Sequence, residues 1–571
     1  MRLPIAKLLS GVLLVLVSAN SFAAGKPNIV LITLDSARAD RMGFLGSHAN
    51  LTRSLDGIAA QAVVFNQAYA QAPLTVSSVA TILTGTYPQT HGASELGVPL
   101  NSSLTYLPDL LHGRGYRTAA FVGSILLDPR NGPFQSYDRG FDVYDAGFHQ
   151  PQRGELRSQS VERSGEQVVV RATSWLAHDT QRPFFLWVHL HDAHAPYISY
   201  NRAVGAEDAA VGKLIAALRG QKLYDDALIV VASDHGESLG SHGEETHGIF
   251  LYDETILVPL LVKMPQNAMA GKRIKSRVRL LDVAPTMMEA AGIPIPSQMQ
   301  GQSLSRVAQG SSASDAPAYS RTDLPRQGFG ASLLESWRAG KYLYIRAPKP
   351  ELYDISADPT ATHNLAQSSK ATLDTMASQL QAFDNHFGAG AAAGGSGLTS
   401  SEMQKLASLG YVGLQRQGSA QSTAVEGKDP KDIVATANKT LAALRDVEDG
   451  KPEKAVPALQ LVLKGQPNTY LAQYALGAAL AEQQKYKEAI EPLRKAIELQ
   501  PDSGWAHYEM GVSLMKTGDF KSAAVHLEIA SGRLPAFAGL HTVLAEVYAR
   551  LGRNDDASRE RSKASQLMPK S

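Results

Sequence analysis

The residues able to do chemistry gather at a few points of the chain. Ser233-Asp234-His235-Gly236-Glu237 sets a carboxylate beside an imidazole, which can give a metal ion one oxygen and one nitrogen ligand. That mixture suits zinc or manganese better than calcium, which prefers all-oxygen sites. Asp35 offers a second carboxylate, and His191, Asp192 and His194 crowd together in a third place. Thr75 heads Thr75-Val76-Ser77-Ser78, which runs into the helical pattern Val79 to Leu83. A hydroxyl at a helix N-terminus sits where free backbone N–H groups favour anions. A neighbouring cation would lower its pKa and make it a nucleophile. By spacing alone, Thr75 reads first as a helix N-cap.

These residues need elements to position them. Asn28 to Leu34, Phe184 to Leu190 and Leu228 to Ala232 are short apolar runs that read as strands. Helical patterns such as Leu55 to Ala62 and Asp208 to Leu218 alternate with them. That alternation predicts a mostly parallel sheet with helices on both faces. Each strand ends in polar residues: Asp35, then His191, Asp192 and His194, then Asp234 and His235. Sites in open α/β sheets lie at the carboxyl ends of strands, so three strands would deliver their ends to one crevice.

Behind this part lies a repeat. Pro467, Pro501, Pro535 and Pro569 recur every 34 residues, as do Ala455, Ala489, Ala523 and Ala557, and Gly477 and Gly511 keep the period. A 34-residue period with small residues at fixed places marks stacked helix–turn–helix pairs. Small residues let paired helices approach, and proline cannot continue the second helix. The pattern resembles tetratricopeptide repeats, about four of them over residues 431–571. The first is the most degenerate, with Ala442 where later repeats carry Leu476, Met510 and Leu544. Residues 388–430, rich in Gly, Ala and Ser at their start, read as a flexible linker that separates the repeats from residues 27–387.

The front segments also carry a resemblance. Pro27 to Asp35, Leu83-Thr84-Gly85-Thr86-Tyr87-Pro88-Gln89-Thr90-His91-Gly92, Ser233 to Glu237, and Glu351-Leu352-Tyr353-Asp354 with Asn364-Leu365 are similar to motifs of the sulfatase family, within the alkaline phosphatase superfamily. The resemblance covers residues 27 to about 370. It implies an α/β class chain: a sulfatase-like α/β/α sandwich with a small antiparallel C-terminal subdomain near residues 317–387, here followed by the all-α repeat solenoid. It implies that Asp35, Asp234 and His235 are metal ligands together with Thr75, the nucleophile. His194 matches a histidine that contacts the ester or protonates its leaving oxygen. His247 sits where relatives hold the anionic group, and His91 matches a further substrate-pocket residue.

The departures from the family are informative. Sulfatases require a Cys or Ser at the position of Thr75, oxidised to formylglycine and followed by x-Pro-x-Arg. This chain has no Cys at all, and Val76-Ser77-Ser78-Val79 supplies neither the Pro nor the Arg. Ser36 stands where many sulfatases have a second Asp, and His235 where many have Asn. The expected cofactor is one divalent ion, zinc or manganese ahead of calcium or magnesium. A second metal on Asp192, His194 and His247 is a further expectation, since two-metal sites occur in the superfamily. The expected function is hydrolysis of an anionic ester, phosphate ahead of sulfate. The alternatives are a phosphoethanolamine-type transferase, a sulfatase using unmodified Thr, and a degenerate scaffold binding protein partners through its repeats.

Composition bounds the rest. The 571 residues are 44% hydrophobic, with 55 Lys+Arg against 54 Asp+Glu. A net charge of +1 gives no general attraction to nucleic acid. Arg2 and Lys7, the apolar run Leu8 to Val17 and Ser21-Phe22-Ala23 read as a signal peptide over residues 1–23. The mature protein is then expected to be periplasmic or secreted, and not an integral membrane protein.

Overall fold

The computed structural model describes residues 26–567, apart from 95, 97, 131–135, 150–154, 156, 179–181, 311–314, 388–397, 410 and 412–426. The expected signal peptide, most of the expected linker and Pro569 lie outside the described residues.

Nine strands form a mixed sheet: β1 (Ile29–Leu34), β2 (Val63–Tyr69), β3 (Arg117–Val122), β4 (Val143–Asp145), β5 (Phe184–Leu190), β6 (Leu228–Ser233), β7 (Leu257–Lys263), β8 (Arg273–Ile274) and β9 (Val278–Arg279). Their order is β4-β3-β5-β1-β6-β7-β2-β8, with β9 also on β2. β4, β3, β5, β1 and β6 run parallel, while β7 is antiparallel to both its neighbours. The sheet is mostly parallel, as the alternation of strands and helices predicts, with β7 as its antiparallel member.

Two cores flank the sheet. Ile29 and Leu31 pack with Val79, Ile82, Leu107 and Met287 on one face. Val30, Ile32 and Leu34 pack with Leu55, Val168, Val211 and Leu214 on the other. A strand buried on both faces reads as a near-continuous apolar run, and in β1 the one polar residue, Thr33, has its hydroxyl hydrogen-bonded. Burying that run in the middle of the sheet fixes its register.

A second, antiparallel sheet follows: β10 (Ala318–Thr322), β11 (Leu334–Ala339), β12 (Tyr342–Arg346) and β13 (Glu351–Asp354). The helix Lys370–Phe387 covers it, placing Met376, Leu380 and Phe383 against Tyr319, Trp337 and Leu352.

Eight helices from Val434 to Leu567 form four antiparallel pairs. Ala455, Ala489, Ala523 and Ala557 are fully buried between them. The repeats do not stand apart from the front domain. Leu74, Ile249, Leu324 and Phe329 form one buried cluster with Ile433, Tyr470, Leu471 and Ala475. The expected separation fails because Leu471 fills the space over Gly328, where a Cβ would lie 2.6 Å from its Cδ1. No helix among the described residues is long and apolar enough to cross a membrane.

Candidate active site and metal centre

The sheet register assembles the site. Leu34 pairs with Leu190 on one side and with Ser233 on the other. The next residues, Asp35, His191 and Asp234, therefore leave three adjacent strands at one level. The Asp35 N–H donates to Leu190 O (2.9 Å) and the Asp234 N–H to Leu34 O (3.1 Å), extending the ladder by one residue. Ser36 then turns at φ 60°, in the left-handed region. That turn brings its N–H to Asp234 Oδ1 (3.2 Å).

Thr75 is the first residue of the helix Thr75–Thr84, not its N-cap; Leu74 holds that position. Its hydroxyl is therefore free of the helix end. Thr75 Oγ1 lies 3.2 Å from His235 Nε2 and 3.4 Å from Asp35 Oδ1, and the side chain is buried. His235 Nδ1 is 2.8 Å from the Gly236 carbonyl, so it carries the proton, and Nε2 keeps its lone pair toward Thr75.

The donor set fits a divalent cation. Ligand atoms of Asp35, Asp234 and His235 lie within 4.8 Å of one another. Asp234 Oδ1 accepts from the His235 N–H (2.7 Å), but Asp234 Oδ2 is buried without a partner. A buried carboxylate oxygen left unsatisfied is costly unless something positive meets it. Burial, and then the charge of Asp35, push Asp234 up to about 8. Burial also acts to raise Asp35, yet nearby His191 and His194 and hydrogen bonds from His189 and His191 hold it well below the usual range.

His189 and His191 were not anticipated as partners of Asp35. His191 Nδ1 is 2.6 Å from Asp35 Oδ2, and His189 Nε2 is 3.3 Å from it. Trp187 Nε1–H donates to Thr33 Oγ1 (2.9 Å), which leaves the Thr33 hydroxyl proton for His189 Nδ1 (2.9 Å). That chain fixes the proton of neutral His189 on Nε2, aimed at Asp35. Such partners orient a ligating carboxylate. The signal was available, because residues 189 and 191 share one face of a strand.

Two histidines border the same space. The His194 ring stacks on His191 at 4.4 Å and meets His247 at 5.1 Å, and its Nδ1 is buried without a partner. His247 lies 4.3 Å from the His235 ring, with Nδ1 3.3 Å from Glu237 Oε2. Burial lowers His194 well below its ordinary value and lowers His247 to about 4, so both are neutral imidazoles near pH 7.

Two expectations are corrected. Asp192 does not join His194 and His247 in a second metal set. Its Oδ2 accepts the Gly165 N–H (2.7 Å) at the start of the helix Gly165–Leu176. Instead, the second metal-type grouping among the described residues is Asp35, His189 and His191. His91 is not offered to a substrate. Its Nδ1 accepts from the Ala93 N–H (3.1 Å) and its Nε2 faces Thr81 Oγ1 (3.0 Å), so both nitrogens are used inside the fold.

Comparison with known proteins agrees with this architecture. The sulfatase family model matches residues 27–293, and the model for the C-terminal part of N-sulphoglucosamine sulphohydrolase matches 243–385. Tetratricopeptide repeat models match 477–518 and 508–558. An ulvan-active sulfatase of Formosa agariphila is 25% identical over 410 residues, covering 62% of this chain and 80% of that protein. Arylsulfatase K of Rattus norvegicus is 29% identical over 190 residues, but these span only 33% of it. Among solved structures, a phosphonate monoester hydrolase of Agrobacterium radiobacter superposes with a TM-score of 0.52 at 19% identity, covering 63% of this chain and 96% of that one. Ps i-CgsB, solved with k-i-k-neocarrahexaose, gives 0.53 at 23%, covering 63% and 93%. At these identities the structural likeness speaks for the fold. Residues 27–293 are thus similar to the sulfatase family, and segments similar to tetratricopeptide repeats follow them.

Proposed function

We propose that this chain is a metal-dependent phosphoester hydrolase with Thr75 as its nucleophile. One observation carries the reading: the Thr75 hydroxyl is turned into the ligand cluster, 3.2 Å from His235 Nε2 and 3.4 Å from Asp35 Oδ1, rather than onto its own helix end. Asp35, Asp234, His235 and Thr75 would hold one divalent ion, zinc or manganese ahead of calcium or magnesium. Such an ion would lower the pKa of the hydroxyl and offset charge on the transferring group.

The residues of the chain supply the remaining steps. Thr75 Oγ1 attacks phosphorus in line, forming one P–O bond as the bond to the leaving alcohol breaks. Helix N–H groups beside Thr75 donate toward the equatorial oxygens. His247 holds a non-bridging oxygen. The Thr75 proton is released to solvent as the hydroxyl ionises, and His194, its pKa raised by the bound anionic ester, takes up one proton from solvent and gives it to the leaving oxygen. Water attacks the phosphothreonine and restores Thr75.

Phosphate is placed ahead of sulfate because Thr75 cannot become a formylglycine and the chain holds no Cys. The sulfatase names of the relatives favour a second reading, cleavage of sulfate esters by unmodified Thr75. Export and a protein partner for the repeats accompany the proposal. The test is turnover of phosphomonoesters, phosphodiesters and sulfate esters by the full chain loaded with zinc or manganese, with Thr75→Ala alongside. Undiminished turnover by Thr75→Ala would sink the nucleophile, and a preference for sulfate esters would sink the phosphoester reading.

A further inference from the structure

The first repeat helix, Val434–Glu448, lies along the loop that carries His247. Asn438 clasps that loop from both sides. Its Nδ2 donates to Gly243 O (2.8 Å), and its Oδ1 accepts the Glu245 N–H (3.2 Å). One turn earlier, Val434 borders Gly243, where a Cβ would lie 3.7 Å from Val434 Cγ1. Val434, Asn438 and Arg445 recur at the spacing of a single helix face. The face that grips the loop therefore presents Arg445 about 10 Å further along.

Arg445 lies within electrostatic reach of the site. Its charge acts on Glu237, His247 and Tyr197, three groups from two different loops of the catalytic domain. It is not among the leading charges at Asp35 or Asp234. A second arginine, Arg38, approaches Glu237 and Tyr197 but is already bound. Its Nε and Nη2 pair with Asp40 at 2.9 and 2.8 Å, and its Nη1 donates to Glu237 O at 2.8 Å. Arg445 is half-buried, and no hydrogen bond or ion pair takes up its guanidinium among the described residues. A guanidinium carried on a docked helix and not directly hydrogen-bonded to a carboxylate is set up to receive a planar anion.

We propose that Arg445 is a specificity-determining residue that binds a second anionic group, on the part of the substrate that does not react. The catalytic cleft is then completed by the repeat domain, and substrates carrying a carboxylate or further acid ester beside the reacting one are favoured. This rests on the reading of the cleft as a site for anionic esters.

The test is calorimetric titration of the metal-loaded full chain with phenylphosphonate and with 3-carboxyphenylphosphonate. In the wild type the carboxylate should tighten binding by about tenfold or more, the scale of a charge-assisted hydrogen bond. In Arg445→Gln that gain should fall below about twofold, and Arg445→Lys should keep an intermediate share. Comparing the two ligands within one protein cancels any general loss of fold. A carboxylate gain that is equal in wild type and Arg445→Gln, or absent from the wild type, overturns the proposal. The readout needs no turnover: a wrong nucleophile would leave the carboxylate gain intact, and a wrong Arg445 assignment would leave Thr75-dependent turnover intact.

Discussion

His191 Nδ1 lies 2.6 Å from Asp35 Oδ2, the shorter of the two imidazole contacts on that oxygen. His191 leaves strand β5 beside Asp35 because β1 and β5 are in register to their last residues. The contact holds Asp35 ionised and fixes which oxygen faces Thr75. Removing the imidazole should loosen the ligand without touching the ion's other donors. His191→Ala is predicted to weaken divalent metal affinity roughly ten- to a hundredfold, the scale typical of partners that orient a ligand. Competition with a chromogenic chelator measures it, and unchanged affinity would refute the role.

Asp192 is one residue further on, and its side chain does different work. It serves the helix Gly165–Leu176 by accepting the Gly165 N–H. Asp192→Ala should lower stability by about 1 kcal/mol, as loss of a helix-end acceptor does. Metal stoichiometry and affinity should be those of the wild type. A lost second equivalent of metal in this variant would restore the two-metal arrangement built on Asp192, His194 and His247.

The contrast between these two residues shows what a sequence can reveal. The ends of β1, β5 and β6 are legible because these doubly buried strands are nearly all apolar and a run of polar residues follows each. His189 is not, since it sits inside such a strand and reads as filler until its i, i+2 relation to His191 is considered. β7 is obscured by Pro259, which argues against an internal strand. The structure accommodates it where pairing lapses. β6 pairs with β7 only as far as Leu260, and the β2–β7 register shifts between Phe65 and Ala68. The docking of the repeats is invisible for another reason. It depends on Leu471 meeting Gly328 and on Asn438 meeting Gly243 and Glu245, pairs far apart in the chain and patterned by no period.

The repeat period does make a sharp claim about close packing. A Cβ on Gly477 would lie 2.4 Å from Leu493 Cγ, and Leu493 is fully buried. Gly477→Ala gains about 1 kcal/mol of helix propensity. It must displace Leu493, an overpacking cost of about 1–3 kcal/mol. The net effect should be destabilising, seen as a lower denaturant midpoint. Gly532 lies in the helix Phe520–Arg533 with open space around its Cβ position. Gly532→Ala should therefore be neutral or stabilising, and a loss as large as that of Gly477→Ala would mean that helix packing is not the cause.

His91 predicts an acid sensitivity with a definite sign. Burial lowers it from an ordinary 6.5 to about 3, a hydrogen bond to the Ser77 backbone opposing the shift only in part. The unfolded chain therefore binds a proton at His91 that the folded chain refuses throughout that interval. The stability it contributes is complete above about pH 6.5 and drains away as pH falls toward 3. Between pH 7 and pH 5 the loss from this one group is about 2 kcal/mol. His91→Gln keeps an acceptor and a donor for the neighbours of the ring but takes up no proton. It should be less stable than wild type at pH 7, and the gap should narrow by roughly that amount at pH 5. Denaturant titrations of both proteins at the two pH values decide the matter: parallel stability profiles would mean that the buried imidazole is not what acid attacks.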